Sequence, residues 1–178
     1  MTNTLTLLAP AKLNLFLHIV GRRNDGYHLL QSAFQLIDWC DTVTLARTNT
    51  NRITRINPVP GIAEGDDLVV RAAALLQREC NVAMGVEITL NKALPVGAGL
   101  GGGSSDAASV IKALDLTLGT GLSISEMESI AASLGSDVPF FIRSIPSLCR
   151  GRGEIVEPLG ILPGANILLV KPPFPVPT

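Results

Sequence analysis

The chain has 178 residues, 15 acidic against 14 basic side chains, an apolar share of 47% and only 4% aromatics. That length allows one domain, or one domain and part of a second, and a chain of this size buries roughly 70% of its unfolded surface without disulfide or metal staples. The near-zero charge balance excludes a general electrostatic footprint for nucleic acid or an anionic membrane, and no apolar run reaches the ~20 residues of a membrane helix.

Residues 11–20 alternate, with Leu13, Leu15, Leu17 and Ile19 on one face and Lys12, Asn14, Phe16 and His18 on the other. This predicts a half-buried strand with the leucine face inward. Residues 22–26 read as a turn, and 27–38 as a second strand of ambiguous period. Residues 41–47 and 52–57 are short strands, and 58–65 a loop. Asp66 or Asp67 caps a helix to about Cys80, with Leu68, Ala72, Leu75 and Leu76 on one face. Val86, Ile88 and Leu90 alternate with polar neighbours in a strand that runs into a glycine cluster. A helix is expected from Ser104 to about Leu116, and another over about 124–134, with Ser123 and Glu126 as a capping box and Gly135 as its stop. Residues 166–171 read as an apolar strand, followed by a proline-rich tail that composition alone reads equally well as a disordered end. The order of elements predicts an α+β fold rather than a regular βαβ array.

Cys40, Cys80 and Cys149 are odd in number and far apart, so neither a disulfide framework nor a CxxC metal clip is expected. The residues before Ala11 lack the basic start of a secretory signal. A reducing, cytoplasmic compartment follows as the expectation.

The chemistry concentrates in Pro95, Val96, Gly97, Ala98, Gly99, Leu100, Gly101, Gly102, Gly103, Ser104 and Ser105. Five glycines in seven positions, between a strand and a helix, let backbone N–H groups converge on a phosphate at a helix N-terminus. No Gly-Lys pair exists, which excludes a Walker A loop. Gly97, Gly99 and Gly102 satisfy GxGxxG, but a dinucleotide-binding unit also needs a second strand ending at an acid, and Asp115 sits inside or just after a helix. A dinucleotide-dependent oxidoreductase and a non-catalytic nucleotide binder stand as alternatives to a kinase.

Residues 95–107 resemble the second motif of the GHMP kinases, the superfamily of galactokinase, homoserine, mevalonate and phosphomevalonate kinases. The extra glycines, with Ala11-Lys-Leu-Asn-Leu-Phe-Leu-His18, Gly26-Tyr-His28 and Leu134-Gly-Ser-Asp-Val-Pro139, resemble the branch acting on a cytidine-diphosphate-bearing alcohol of the non-mevalonate isoprenoid route. The resemblance implies a mixed sheet with helices on one face and a left-handed βαβ unit. It also implies ATP and Mg²⁺ as cofactors, with residues 95–105 on the nucleotide. Lys12 and Asp137 become the catalytic pair, Asp137 taking the hydroxyl proton. Asn14, Tyr27 and His28 bind substrate, Tyr27 by stacking on cytosine and His28 at its edge. No protein-only metal cage is expected. Without the resemblance, Asp137 reads as a turn former or cap, Ser104 and Ser105 as helix caps, and Lys12 and Asn14 as a solvated strand face.

Three features depart from the resembling enzymes. Asp67 stands where they usually carry Asn, Arg150 and Arg152 add bulk to a Gly-x-Gly-Glu segment, and the chain ends where a second lobe is expected to begin. The reading is therefore an ATP-binding lobe over 1–160 and the start of a further lobe over 161–178, with weak or absent turnover.

Overall fold

A computed structural model describes residues 4–22, 24 and 26–172. Of the turn expected over 22–26, residues 23 and 25 lie outside the described residues, as does the proline-rich tail from 173 onward. The elements are β1 (Thr4–Arg22), β2 (His28–Thr48), β3 (Ile53–Arg55), a 3-10 turn (Glu64–Asp66), α1 (Leu68–Glu79), β4 (Gly85–Asn91), α2 (Gly102–Leu118), α3 (Ile124–Ala132), α4 (Val138–Arg143), β5 (Ser147–Gly151) and β6 (Ile155–Pro158). They build a mixed, six-stranded α+β sheet in the order β3-β4-β2-β5-β6, with β1 also paired to β2. No described helix is long and apolar enough to cross a membrane.

β2 organises the sheet. It pairs antiparallel with β1 along most of its length, with β4 over Thr42–Thr48 and with β5 over Leu30–Phe34. The strands expected at 27–38 and 41–47 are thus one continuous strand, whose two halves serve different neighbours. That explains why no single period described the first half. β3 and β4 are parallel and joined through α1, giving the βαβ unit. α2 runs under the sheet, and its Ala107, Val110, Ile111 and Leu114 are buried against Val43, Leu45, Ile88 and Phe34 in one core.

The inward leucine face of β1 is corrected. Leu15, Leu17 and Ile19 are 51%, 53% and 63% exposed, whereas Ala9, Ala11 and Lys12 are the buried residues of the strand. Register shifts at Pro10/Ala11, Asn14/Phe16 and Ile19/Gly21 exchange the faces, and among the described residues β1 has a partner on only one edge. Alternation therefore located the strand but assigned its faces wrongly.

Several boundaries also move. The helix expected from Ser104 begins at Gly102, with Gly101 as a left-handed N-cap at φ 70°, and runs to Leu118. α3 keeps its expected start, because the Ser123–Glu126 capping box is present with both reciprocal bonds, but it ends at Ala132, short of Gly135. The segment after Asp137 is the short helix α4, with Pro139 tolerated in its first turn. β5 and β6 form a hairpin where no strand was expected. Residues 166–171 form no strand: they find no sheet edge, and Leu168 and Val170 are 88% and 85% exposed. Because α2 is followed by α3 and α4 rather than by a parallel strand, the arrangement required for dinucleotide binding is absent from the described residues.

Candidate active site

The glycine segment joins β4 to α2 and forms one wall of a cleft of about 350 Å³, opposite Val59, Ile62 and the 66–69 segment. Its glycines divide into two kinds. Gly97 and Gly99 have positive φ (67° and 72°), and a Cβ on either would meet nothing, so here the chain conformation alone calls for glycine. Gly101 and Gly102 are packing sites as well. A Cβ on Gly101 would lie 2.7 Å from the Phe141 ring, and one on Gly102 would lie 3.2 Å from Lys92 Nζ. The loop is seated against the core at its helical end and open where its backbone lines the cleft.

Lys12 is 5% exposed, and four contacts fix it in place. Its backbone N–H donates to the Leu100 carbonyl at 2.9 Å, tying β1 to the glycine loop. Its ammonium donates to Asn14 Oδ1 at 2.5 Å and lies 4.5 Å from the centre of the Phe34 ring. The same ammonium is 3.4 Å from Asp137 Oδ2. The structure thus brings together Lys12, Asn14 and Asp137 from opposite ends of the chain. Asn14 in turn donates to Ser32 Oγ at 3.0 Å, which holds its amide in one orientation.

Asp137 occupies the N-cap position of α4, yet its side chain makes no capping hydrogen bond. The carboxylate faces Lys12 instead. α4 itself is clamped from two sides. Arg143 grips Glu128 of α3 with two bonds of 2.7 Å, while Lys112 of α2 donates to the Phe141 carbonyl and to Ser144 Oγ, each at 3.0 Å. Burial lowers the Lys112 pKa. Behind the pair, burial first and then Asp137 push the Cys149 thiol up to about 12, so it stays protonated and inert at neutral pH.

Tyr27 and His28 lie at the end of β1–β2 away from the glycine loop's cleft lining. They border a second cleft with Ser133, Gly135, Ser136 and Arg152, on the Ser136 side of Asp137. The Arg152 guanidinium lies 5.5 Å from the Tyr27 ring centre. Asp67, one of the three departures, caps α1 by accepting from Val69 N–H at 3.1 Å and pairs with the buried Arg55 guanidinium. Its carboxylate is committed to holding the start of α1.

Sequence reasoning missed one cluster altogether. Asp41 is fully buried on β2 and accepts from the Ala93 and Leu94 N–H groups at 2.6 and 2.8 Å. It also pairs with Lys92, whose ammonium donates to Asp106 of α2 at 2.8 Å. The three side chains pin both ends of the glycine loop to β2. A signal was present: Asp41 shares the inward parity of Val43 and Leu45, where a lone carboxylate requires partners. Burial opposes the Lys92 charge, but Asp106 and Asp41 more than offset it and raise its pKa.

Burial pushes the Asp106 carboxyl up to about 7, against the pull of Lys92. The folded chain therefore keeps a proton that the unfolded chain releases from about pH 4 upward. Stability contributed by this group is full in acid and is lost as pH rises through about 7. The slope reaches at most about 1.4 kcal/mol per pH unit. Asp106→Asn is expected to flatten the pH dependence of stability between about pH 5 and 7, read from urea midpoints; an unchanged slope would place the titration on another group.

Two polar atoms next to the loop are buried and lack a partner, Ser105 Oγ and Asp106 Oδ1. The cleft wall itself is formed by residues 95–104 and Asp106, whereas Ser105 is buried behind it.

Three comparisons bear on this geometry. Residues 67–144 match the family described as GHMP kinases N terminal domain. The chain is 50% identical over 170 residues to the 4-diphosphocytidyl-2-C-methyl-D-erythritol kinase of Ralstonia nicotianae, which covers 96% of this chain and 58% of that protein. It is 51% identical over 170 residues to the kinase of the same name from an Azoarcus species, covering 96% and 60%. A crystal structure of 4-(cytidine 5'-diphospho)-2C-methyl-D-erythritol kinase superposes with a TM-score of 0.78 at 37% identity, over 89% of this chain and 56% of that one. The chain thus spans about three fifths of the length of these two curated relatives. Domain match, sequence identity and fold agree: the chain carries a GHMP kinase N-terminal domain.

Proposed function

We propose that the chain is the ATP-binding, catalytic lobe of a kinase that phosphorylates a hydroxyl of 4-diphosphocytidyl-2-C-methyl-D-erythritol in the non-mevalonate isoprenoid route. The lobe corresponds to residues 1–160, with 161–178 outside it, and the three free cysteines fit a reducing cytoplasm. The observation that carries the reading is the Lys12–Asp137 pair, 3.4 Å apart between two clefts, one walled by the glycine loop and one bordered by Tyr27 and His28.

The residues divide the work accordingly. ATP, arriving with Mg²⁺, would supply the phosphoryl group; the loop N–H groups and the Ser104 hydroxyl would hold its phosphates. The Asp137 carboxylate accepts the proton of the substrate hydroxyl as that oxygen bonds to phosphorus and ADP departs. Phosphoryl transfer has a loose transition state in most analyses, so positioning and charge neutralisation outweigh base strength. The Lys12 ammonium, held by Asn14, places positive charge where negative charge gathers. Asn14 therefore acts on the substrate side chiefly by keeping that ammonium in place.

Tyr27 supplies a stacking surface for the cytosine, and His28 polar contacts at its edge. Tyr27→Ala is expected to weaken binding of the cytidyl substrate by about 1–3 kcal/mol, the usual worth of a base–aromatic stack. Calorimetric titration checks this. Equal acceptance of mevalonate or homoserine would overturn the cytidyl assignment.

A further inference from the structure

The Tyr27 cleft and the Asp137 carboxylate are joined by one short segment, the turn between β5 and β6. Gly153 in this turn approaches Asp137 so closely that a Cβ would lie 3.4 Å from its Oδ1, at a φ of 123° that side chains rarely adopt. Its neighbour Arg152 reaches the other way and spreads its guanidinium over the Tyr27 ring. Arg152 is thus placed between the aromatic that would take a base and the carboxylate that would meet a hydroxyl.

The cation is poorly satisfied by the protein. Its side chain is 45% exposed, and Glu154 stands 4.0 Å from its Nε. One Glu154 oxygen, Oε2, accepts from the Arg152 backbone N–H at 2.6 Å, and the other, Oε1, is the one facing the guanidinium. The adjacent Arg150, by contrast, pairs with Glu157 at 3.2 Å. Among the described residues lining the cleft, Arg152 is the only arginine or lysine. A ligand with its base at Tyr27 and its reacting hydroxyl at Asp137 must place whatever links the two beside this guanidinium.

We infer that Arg152 is a specificity-determining residue that recognises the anionic linker of the substrate, a diphosphate, through charge-assisted hydrogen bonds. The inference rests on the cytidyl reading above and adds the residue that reads the linker rather than the base. A planar guanidinium suits two phosphate oxygens at once, and stacking on Tyr27 pre-orients it, so little side-chain freedom is lost on binding.

The test is calorimetric titration of the full chain with cytidine and with CDP, the nucleotide cleft being filled by a non-hydrolysable ATP analogue. Wild type, Arg152→Met and Arg152→Lys are compared. Wild type is expected to prefer CDP over cytidine by about tenfold or more, in keeping with charged hydrogen bonds. Arg152→Met should lose most of that preference while its cytidine affinity changes little, and Arg152→Lys should retain part of it. A wild type that binds both equally, an Arg152→Met variant that keeps the preference, or one that loses cytidine and CDP affinity alike would overturn the inference alone. Failure of wild type to bind either ligand would overturn the cytidyl reading, and this inference with it.

Discussion

Replacing Asp137 by Asn is expected to lower kcat by about 10²–10⁴-fold, the usual worth of general-base assistance, while ATP and substrate still bind. The substitution keeps the side chain's shape at the start of α4. Because Asp137 makes no capping hydrogen bond, no helix cap is lost. What disappears is the proton acceptor and the negative partner of Lys12, 3.4 Å away. A fall in kcat with nearly constant binding identifies an interaction made in the transition state. Near-full kcat would move the base elsewhere.

Asp41→Ala should produce the largest loss of stability away from the reacting groups. Asp41 is fully buried and accepts two backbone N–H groups besides pairing with Lys92. Truncation strands these two donors and leaves the Lys92 ammonium to Asp106 alone. Breaking a buried pair by removing one partner costs about 3–5 kcal/mol. For a chain of this size each kcal/mol moves Tm by roughly 2–4 °C, so a drop on the order of 10 °C is expected by calorimetry. The glycine loop is anchored through the same bonds, and ATP affinity should fall with it. A loss below about 1 kcal/mol would contradict the anchoring role, because a surface change costs no more than that.

What the sequence disclosed is what local chemistry encodes. The Ser123–Glu126 capping box, the Asp67 cap of α1 and the strand–glycine–helix order around residues 85–118 all depend on neighbours within a few positions, and all formed. The failures are non-local. The alternation of β1 points to the wrong inner face because its bulges and open edge depend on β2, not on its own sequence. Residues 166–171 are apolar enough for a strand, but a strand needs an edge to pair with. α4 was hidden by Pro139, which reads as a breaker unless the residue is known to lie in a first turn.

The site divides in the same way. The proposed phosphate-binding role of residues 95–105 rests on glycine spacing. The approach of Lys12 to Asp137, by contrast, spans the whole fold, and spacing alone read Lys12 as a solvated strand residue. Only the likeness of the flanking motifs to a known family linked the two. The Asp41–Lys92–Asp106 cluster belonged to no motif and became visible only when β2, β4 and α2 were brought together.

The central claim is that the Lys12–Asp137 centre passes the γ-phosphoryl group of ATP to the hydroxyl of a cytidyl alcohol. A single-turnover experiment tests it most directly, because slow chemistry still registers when protein exceeds substrate. With γ-labelled ATP, Mg²⁺ and 4-diphosphocytidyl-2-C-methyl-D-erythritol, the account predicts label in the alcohol's phosphate ester, and little or none with Asp137→Asn although both ligands bind. Label that remains in ATP or appears only as inorganic phosphate, with both ligands bound to wild type, would contradict it.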